Sequence, residues 1–465
     1  MISLIAIPGG LLAMMGQHAR SESLFYYFRL EDHIPENHLL RLIDRHISFD
    51  FVHDVLRDSY SETGRPSIDP EVLLRILLIG YLYGITSERK LVEELKMHLA
   101  WRWFTGLGFD QEIPHHSTFS KNRHGRFLQS GLFKELFERI VDQCISAGLV
   151  RGEHMSVDGS FVQADATSDS RIPREQLAEA AQVNRTVREF LTELEQQNGD
   201  DEQELVHQQD KVSTTDPDAT YASKGSAVAT LGYYDNYLID NHSCVIVGVQ
   251  ATAARLSQES VAARNMIWSY HQRHGHYPQS LAADTTYGNG EMLHWLLERE
   301  ITPYMRVKES PHPRGELYGN DQFTYQPESN SYVCPQGKQL NYVGINKGNR
   351  MHAYHSTLKR CRDCPVKAQC TKGRYRIVAV HVHEPARQRA YEIAKTPEFV
   401  KSQWDRRKVE ALFAELKNRI GLRRLRLRRM KFVREQFYLA ATVQNLKRLV
   451  RFLSPKPTGP AMATA

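Results

Sequence analysis

The chain has 465 residues, with 60 Lys and Arg against 54 Asp and Glu, for a formal net charge of +6. Its apolar and charged fractions, 41% and 25%, are those of a soluble globular protein with room for two or three domains. No run approaches the roughly 20 apolar residues of a membrane-spanning helix, which excludes a helical membrane protein.

Residues 1–24 begin with an apolar stretch that has no Lys or Arg ahead of it, so it lacks the charged start of a signal peptide. It is expected to be disordered, as extra sequence ahead of a start at Met14 or Met15. Residues 25–152 read as an all-α domain. Within it, Asn37 to Asp44 shows 3-4 apolar spacing, and Asp69-Pro70 opens a helix that is apolar nearly all round and therefore belongs in a core. A third helix runs from Ser87 to Leu99. The stretch His116 to Arg126 caps a further helix over 128–147 and gathers basic and hydroxyl residues at its start. Ser117, Thr118 and Arg123 there are candidates for phosphate contact, and plain structural capping is an equal alternative.

From His154 the pattern changes. A short strand carries Asp158, and a polar, acidic insertion follows over about 167–215, with a helix near 173–197 and a partly mobile remainder. Two strands, 232–240 and 243–250, form a hairpin. A helix over 257–274 precedes a strand that ends at Asp284 in a Gly-rich turn, then a helix over 291–299 and a strand from Ile301. Residues 308–397 are rich in Gly and Pro, poorly periodic, and read as an insertion. The order implies an α/β layer arrangement, in two parts (153–307 and 398–453), with acidic residues at two strand ends and on a closing helix. The tail, 454–465, is expected to be disordered.

The closing helix carries the densest chemistry. Val409, Leu412, Phe413 and Leu416 form its apolar face. At 100° per residue, Arg406 and Glu410 lie about 40° apart and Glu410 and Lys417 about 20° apart, so one carboxylate sits between two cations. Glu415 is about 140° away from Glu410 and is rejected as the metal ligand. Between Lys401 and Leu453 there are 16 Lys and Arg and 4 Asp and Glu, a net +12. Against +6 overall, this leaves −6 for the rest of the chain. A basic segment so segregated points to a polyanion partner. Its centre, Gly421 to Lys431, is read as a helix or helix extension with Leu inward and Arg423, Arg424, Arg426, Arg428 and Arg429 facing phosphates.

Four of the six cysteines cluster, as Cys334 and as Cys361-x2-Cys364-x5-Cys370, while Cys144 and Cys244 stand alone. This is the pattern of a cytosolic protein with a metal site rather than a disulfide framework. Four thiolates suit a tetrahedral structural zinc; reduced, unliganded cysteines are the alternative.

Ser156-Val-Asp158-Gly-Ser, Ala282-Ala-Asp284-Thr-Thr-Tyr-Gly and Arg406-x3-Glu410-x6-Lys417 resemble the three signature regions of bacterial insertion-sequence DDE transposases with an RNase H-like catalytic domain. Pro114 to Ser120 resembles a motif in the N-terminal helical domain of one group of them. The resemblance implies a mixed-sheet catalytic domain, an all-α DNA-binding domain and a Cys-containing insertion before the last catalytic helix. It makes Asp158, Asp284 and Glu410 the ligands of two Mg²⁺ ions, with Arg406 and Lys417 near transposon-end phosphates. One position departs from the Tyr-x2-Arg-x3-Glu-x6-Lys signature: Gln403 stands at the Tyr, with Trp404 beside it. The implied function is Mg²⁺-dependent cleavage at transposon ends and strand transfer, by a cytoplasmic, nucleoid-associated protein that pairs with DNA and with copies of itself. A nuclease of the same fold without strand transfer, and a non-catalytic DNA-binding regulator, are the alternatives.

Overall fold

A computed structural model describes residues 28–61, 67–196, 210–222, 228–254, 258–308, 317–346, 348 and 350–454. The expectations for residues 1–24, for 455–465 and for the middle of the polar insertion fall outside them.

The N-terminal part is helical, as its periodicity implied. The helix Pro70–Leu82 starts where Asp69 caps it, the carboxylate accepting from Glu71 N–H at 2.8 Å, and ten of its thirteen residues are buried. The helix expected over 128–147 is broken instead. His116–Asn122 continues through a π-helical turn, Arg123–Phe127, and Gly131 at φ +67° breaks the line before Leu132–Ser146. A residue in the left-handed region cannot propagate an α-helix, which is why the break falls on the glycine.

The central sheet has six strands. β1 (His154–Gln163) is its middle strand. The polar insertion comes next in the chain and is closed at its base by a two-stranded ladder of β2 (Arg171–Pro173) and β3 (Lys211–Ser213). Its single expected helix is two, Leu177–Val183 and Arg185–Gln196, because Asn184 ends one and caps the other. β4 (Thr220–Ala222), β5 (Thr230–Asp240) and β6 (Ile246–Ala253) follow, then β7 (Ser280–Ala282) and β8 (Thr302–Tyr304). β5 runs antiparallel to β1, with both β6 and β4 antiparallel to β5. On the other side, β7 pairs parallel with β1, and β8 parallel with β7. Glu259–His274 packs against β5 and β6, and Pro397–Asn418 lies over β1, β7 and β8.

The expected insertion is more ordered than its composition implied. β9 (Thr324–Gln326), β10 (Ser331–Val333), β11 (Gln339–Asn346), β12 (Met351–His355) and β13 (Ile377–His381) form a second, antiparallel sheet around Phe323, Leu340, Tyr354 and Val378. Helix Glu384–Ile393 then leads back to the closing helix.

The basic stretch after that helix is not helical. Gly421, at φ +81°, turns the chain, and Leu425 N–H donates to the Gln163 carbonyl at 2.8 Å, so the segment runs extended beside the end of β1. Leu422 and Leu425 are buried as expected. The helix Met430–Leu453 that follows joins the two halves of the molecule: it packs on β6, on Leu132–Ser146 and on Pro70–Leu82. The Asn445 amide both donates to and accepts from the backbone of Ile246, at 2.7 and 2.9 Å, satisfying polar groups at the sheet's edge that would otherwise be dry.

Candidate active site

Register explains why two distant aspartates meet. β1 and β7 are parallel, and their ladder ends by pairing Ser156 with Ala282, so Asp158, two residues further along β1, and Asp284, two residues past the end of β7, lie at the same end of the two neighbours. Asp158 Oδ1 accepts from Gly159 N–H at 2.8 Å. Asp284 lies just past β7 and caps a short 3-10 turn, Thr285–Tyr287, accepting from Thr286 N–H at 2.8 Å.

The closing helix brings the third element. Val409, Leu412, Phe413 and Leu416 are all buried, and Phe413 stacks on Tyr237 of β5, ring centroids 4.8 Å apart. With that face inward, Arg406 comes over β1 and donates to Asp158 Oδ2 at 3.1 Å. Its other terminal nitrogen lies 3.9 Å from Glu410, whose side chain is 63% exposed. Glu415 points elsewhere, held by Lys447, Arg448 and Gln444. Lys417 lies within electrostatic reach of Asp235 on β5. Asp235 is completely buried, and burial, opposed by the Tyr237 hydroxyl and by Lys417, pushes it well above the usual carboxylate range.

Gln403 replaces the expected aromatic with a different contact. Its amide donates to the carbonyls of Ala283 and Tyr304, at the ends of β7 and β8, and so ties the closing helix to the strand end beside Asp284. Trp404 points outward and is 63% exposed.

One acidic residue near the site was not anticipated. Glu259 begins the helix Glu259–His274 and faces Asp284; burial, reinforced by Asp284 and opposed by its own N–H and by Lys308, raises its carboxyl pKa. Nothing in the sequence around Glu259 distinguishes it from an ordinary first-turn acid, so only the packing of that helix finds it.

The expected ligand sets are not closed. Among the described residues no three His, Cys, Asp or Glu side chains gather tightly enough to hold a metal ion. Among the acids, the Arg406 guanidinium lies between Asp158 and Glu410 and offsets their charge. The oxygen donors themselves are of the kind that hard divalent cations take. Cys334, Cys361, Cys364 and Cys370 line one cavity of about 20 Å³ together with Arg360 and Arg376, and among the described residues they do not close into a ligand set.

The basic residues divide by burial. Arg423, Arg424 and Arg428 are exposed, the last two paired with Asp165. Arg426 is turned inward over the Tyr81 ring, 4.3 Å from its centroid. Arg429 is 4% exposed and bridges Asp218 and Glu193 at 2.8 and 2.6 Å. Arg123 is buried against Glu88 at 2.7 Å, while Ser117 and Thr118 are half-buried at the start of their helix. Among the described residues no helix is long and apolar enough to cross a membrane.

Comparison with known proteins bears on both halves of the chain. Residues 28–125 match the family model of a transposase domain (DUF772), and residues 333–450 that of a transposase DDE domain. The second match takes in the helix of Arg406 and Glu410 and stops short of Asp158 and Asp284. No curated protein matches the chain. The two matches together support a transposase of the DDE type, with DNA as its partner.

Proposed function

We propose that the chain cuts DNA at transposon ends and joins the freed 3′ hydroxyl to target DNA, on an RNase H-like catalytic domain formed by 153–307 and 398–453. The observation that carries this reading is the parallel register of β1 and β7. It sets Asp158 and Asp284 at the same end of neighbouring strands, beneath a helix whose Arg406 binds Asp158 and whose Glu410 lies one turn away. The strand order, with β5 antiparallel to β1 and β6 antiparallel to β5 on one side and with β7 and β8 parallel to β1 on the other, agrees with an RNase H-like sheet.

Asp158, Asp284 and Glu410 would hold two Mg²⁺ ions, which supply Lewis-acid activation of the attacking oxygen and stabilisation of the leaving one. The protein's own part is placement. Asp158 and Asp284 are fixed by backbone N–H bonds, and Gln403 locks the closing helix to the strand end that presents Asp284. Arg406 neutralises the acids and is positioned to meet a phosphate. Exposed Arg423, Arg424 and Arg428, with Ser117 and Thr118 of the helical region 25–152, would hold the DNA backbone, and Lys417 would join them near the cut end. Arg123, Arg426 and Arg429 serve the fold. Two DNA ends must be brought together, so the active form is an oligomer on DNA, at the nucleoid. The cysteine cluster of 308–397 would hold a structural zinc: four soft donors already face one small cavity.

The test is a gel assay on 5′-labelled DNA carrying the element's flanking end, with Mg²⁺, comparing wild type with Glu410→Gln. Cleavage and joined products in the wild type, lost in the variant with binding retained, are expected. Equal cleavage by both proteins would remove Glu410 from the site, and cleavage without joined products would reduce the activity to that of a nuclease.

A further inference from the structure

The turn after Asp284 carries a side chain that the reaction as described does not use. Tyr287 is 1% exposed, and among the described residues its hydroxyl has no hydrogen-bond partner. Such groups are rare in folded proteins, because a buried hydroxyl without a partner has given up its hydration for nothing. The backbone leaves the residue little freedom. Tyr287 N–H donates to the Asp284 carbonyl, and Gly288 O accepts from Lys308 N–H at 2.8 Å. Gly288 itself lies so close to the Arg306 carbonyl that a Cβ there would stand 1.9 Å from it. The ring is thus pinned where its hydroxyl feels, after burial, the carboxylates of Asp158, Glu259 and Asp284, in that order, and the opposing charge of Arg406. A phenylalanine would fill the same core position and carry no dry hydroxyl.

We propose that Tyr287 is a positioning residue of the carboxylate site: its hydroxyl is held in reserve for Asp158 and donates to that carboxylate when divalent cations are bound, fixing the orientation in which it ligates. A ligand carboxylate has two oxygens and turns freely unless the one not facing the ion is held, and partners of this kind set metal affinity in other proteins. The proposal rests on the reading of Asp158 as a metal ligand.

The full-length protein and its Tyr287→Phe variant are compared in two ways: Mn²⁺ binding without DNA, followed by electron paramagnetic resonance and by the shift in thermal unfolding, and cleavage of end DNA. The variant is expected to unfold, without added cation, at or above the wild-type temperature, since it loses only an unpartnered group. Its Mn²⁺ affinity should fall roughly 10-fold or more, its cleavage rate should fall with it, and its affinity for DNA should not change. Equal Mn²⁺ binding and equal cleavage would make Tyr287 an ordinary core residue and overturn the proposal. So would a lower unfolding temperature without cation, which would show that the hydroxyl supports the fold. If wild type binds no Mn²⁺ and Asp158→Asn behaves as wild type in every assay, the metal-site reading itself fails and takes this proposal with it.

Discussion

The Arg406 guanidinium lies between two acids, 3.1 Å from Asp158 Oδ2 and 3.9 Å from Glu410 Oε1. Asp158 and Arg406 are each 18% exposed in their side chains, so the pair is largely shielded from water, whereas Glu410 can keep its hydration. Removing one partner of a shielded pair leaves the other charge uncompensated, typically at a cost of about 3 kcal/mol. Arg406→Gln is therefore expected to lower stability by roughly 2–3 kcal/mol. A divalent cation binding the same acids should restore more of it in the variant than in wild type. Urea unfolding of both proteins with and without Mg²⁺ measures this; an equal Mg²⁺ effect would show that guanidinium and cation do not share the acids.

Arg428 and Arg429 are neighbours that differ in burial. Arg428 is exposed, while Arg429 is buried on two carboxylates, in a left-handed backbone conformation at φ +74°. Arg428→Ala should weaken DNA binding at all sequences and reduce the slope of log affinity against log salt by about one, with little change in stability. Arg429→Ala should instead destabilise the fold by about 3 kcal/mol or more, because Asp218 and Glu193 lose their cation. Salt-dependent binding and chemical denaturation separate the two, and reversed results would invert the assignment.

Glu435, on the helix that joins the two halves, is 7% exposed. Burial, partly opposed by Arg123, pushes its carboxyl up to about 8. The folded state therefore keeps a proton that the unfolded chain has released above about pH 4.5. The resulting stability is complete below that pH and is lost as pH rises through 8. Glu435→Gln removes this dependence. It should match wild type near pH 4.5 and exceed it by up to about 4 kcal/mol at pH 8.5. Unfolding curves at the two pH values are the measurement, and parallel curves would refute the shift.

The cysteine cavity gives an independent outcome. Purified protein is expected to carry one zinc per chain, and Cys364→Ser to lose it and to loosen the small sheet of 324–381. Metal analysis together with limited proteolysis tests both. Absence of zinc from the wild type, with the sheet resistant to protease, would leave four reduced thiols.

Much of the arrangement was legible in the residues themselves. The apolar run capped by Asp69-Pro70 could only be a core helix, and the spacing of Val409, Leu412, Phe413 and Leu416 placed Arg406 and Glu410 on one side of the closing helix. The segment Gly421 to Arg429 does not specify its own backbone, because its Leu–Arg alternation fits a helix and an extended chain alike. The decision came from Gly421 and from Gln163, a partner more than 250 residues away in the chain.

The sequence by itself determined where many of the helices begin and which side chains share a face, since periodicity and capping act over a turn or two of chain. Only the tertiary structure decided which of them meet. The β1–β7 register sets Asp158 and Asp284 at the same end of neighbouring strands, the packing of Pro397–Asn418 brings in Arg406, that of Glu259–His274 half-buries Glu259 near Asp284, and inward packing takes Arg123, Arg426 and Arg429 away from solvent. Such pairings depend on contacts between residues far apart in the chain, whose free energy comes from the whole packed core and leaves no local trace.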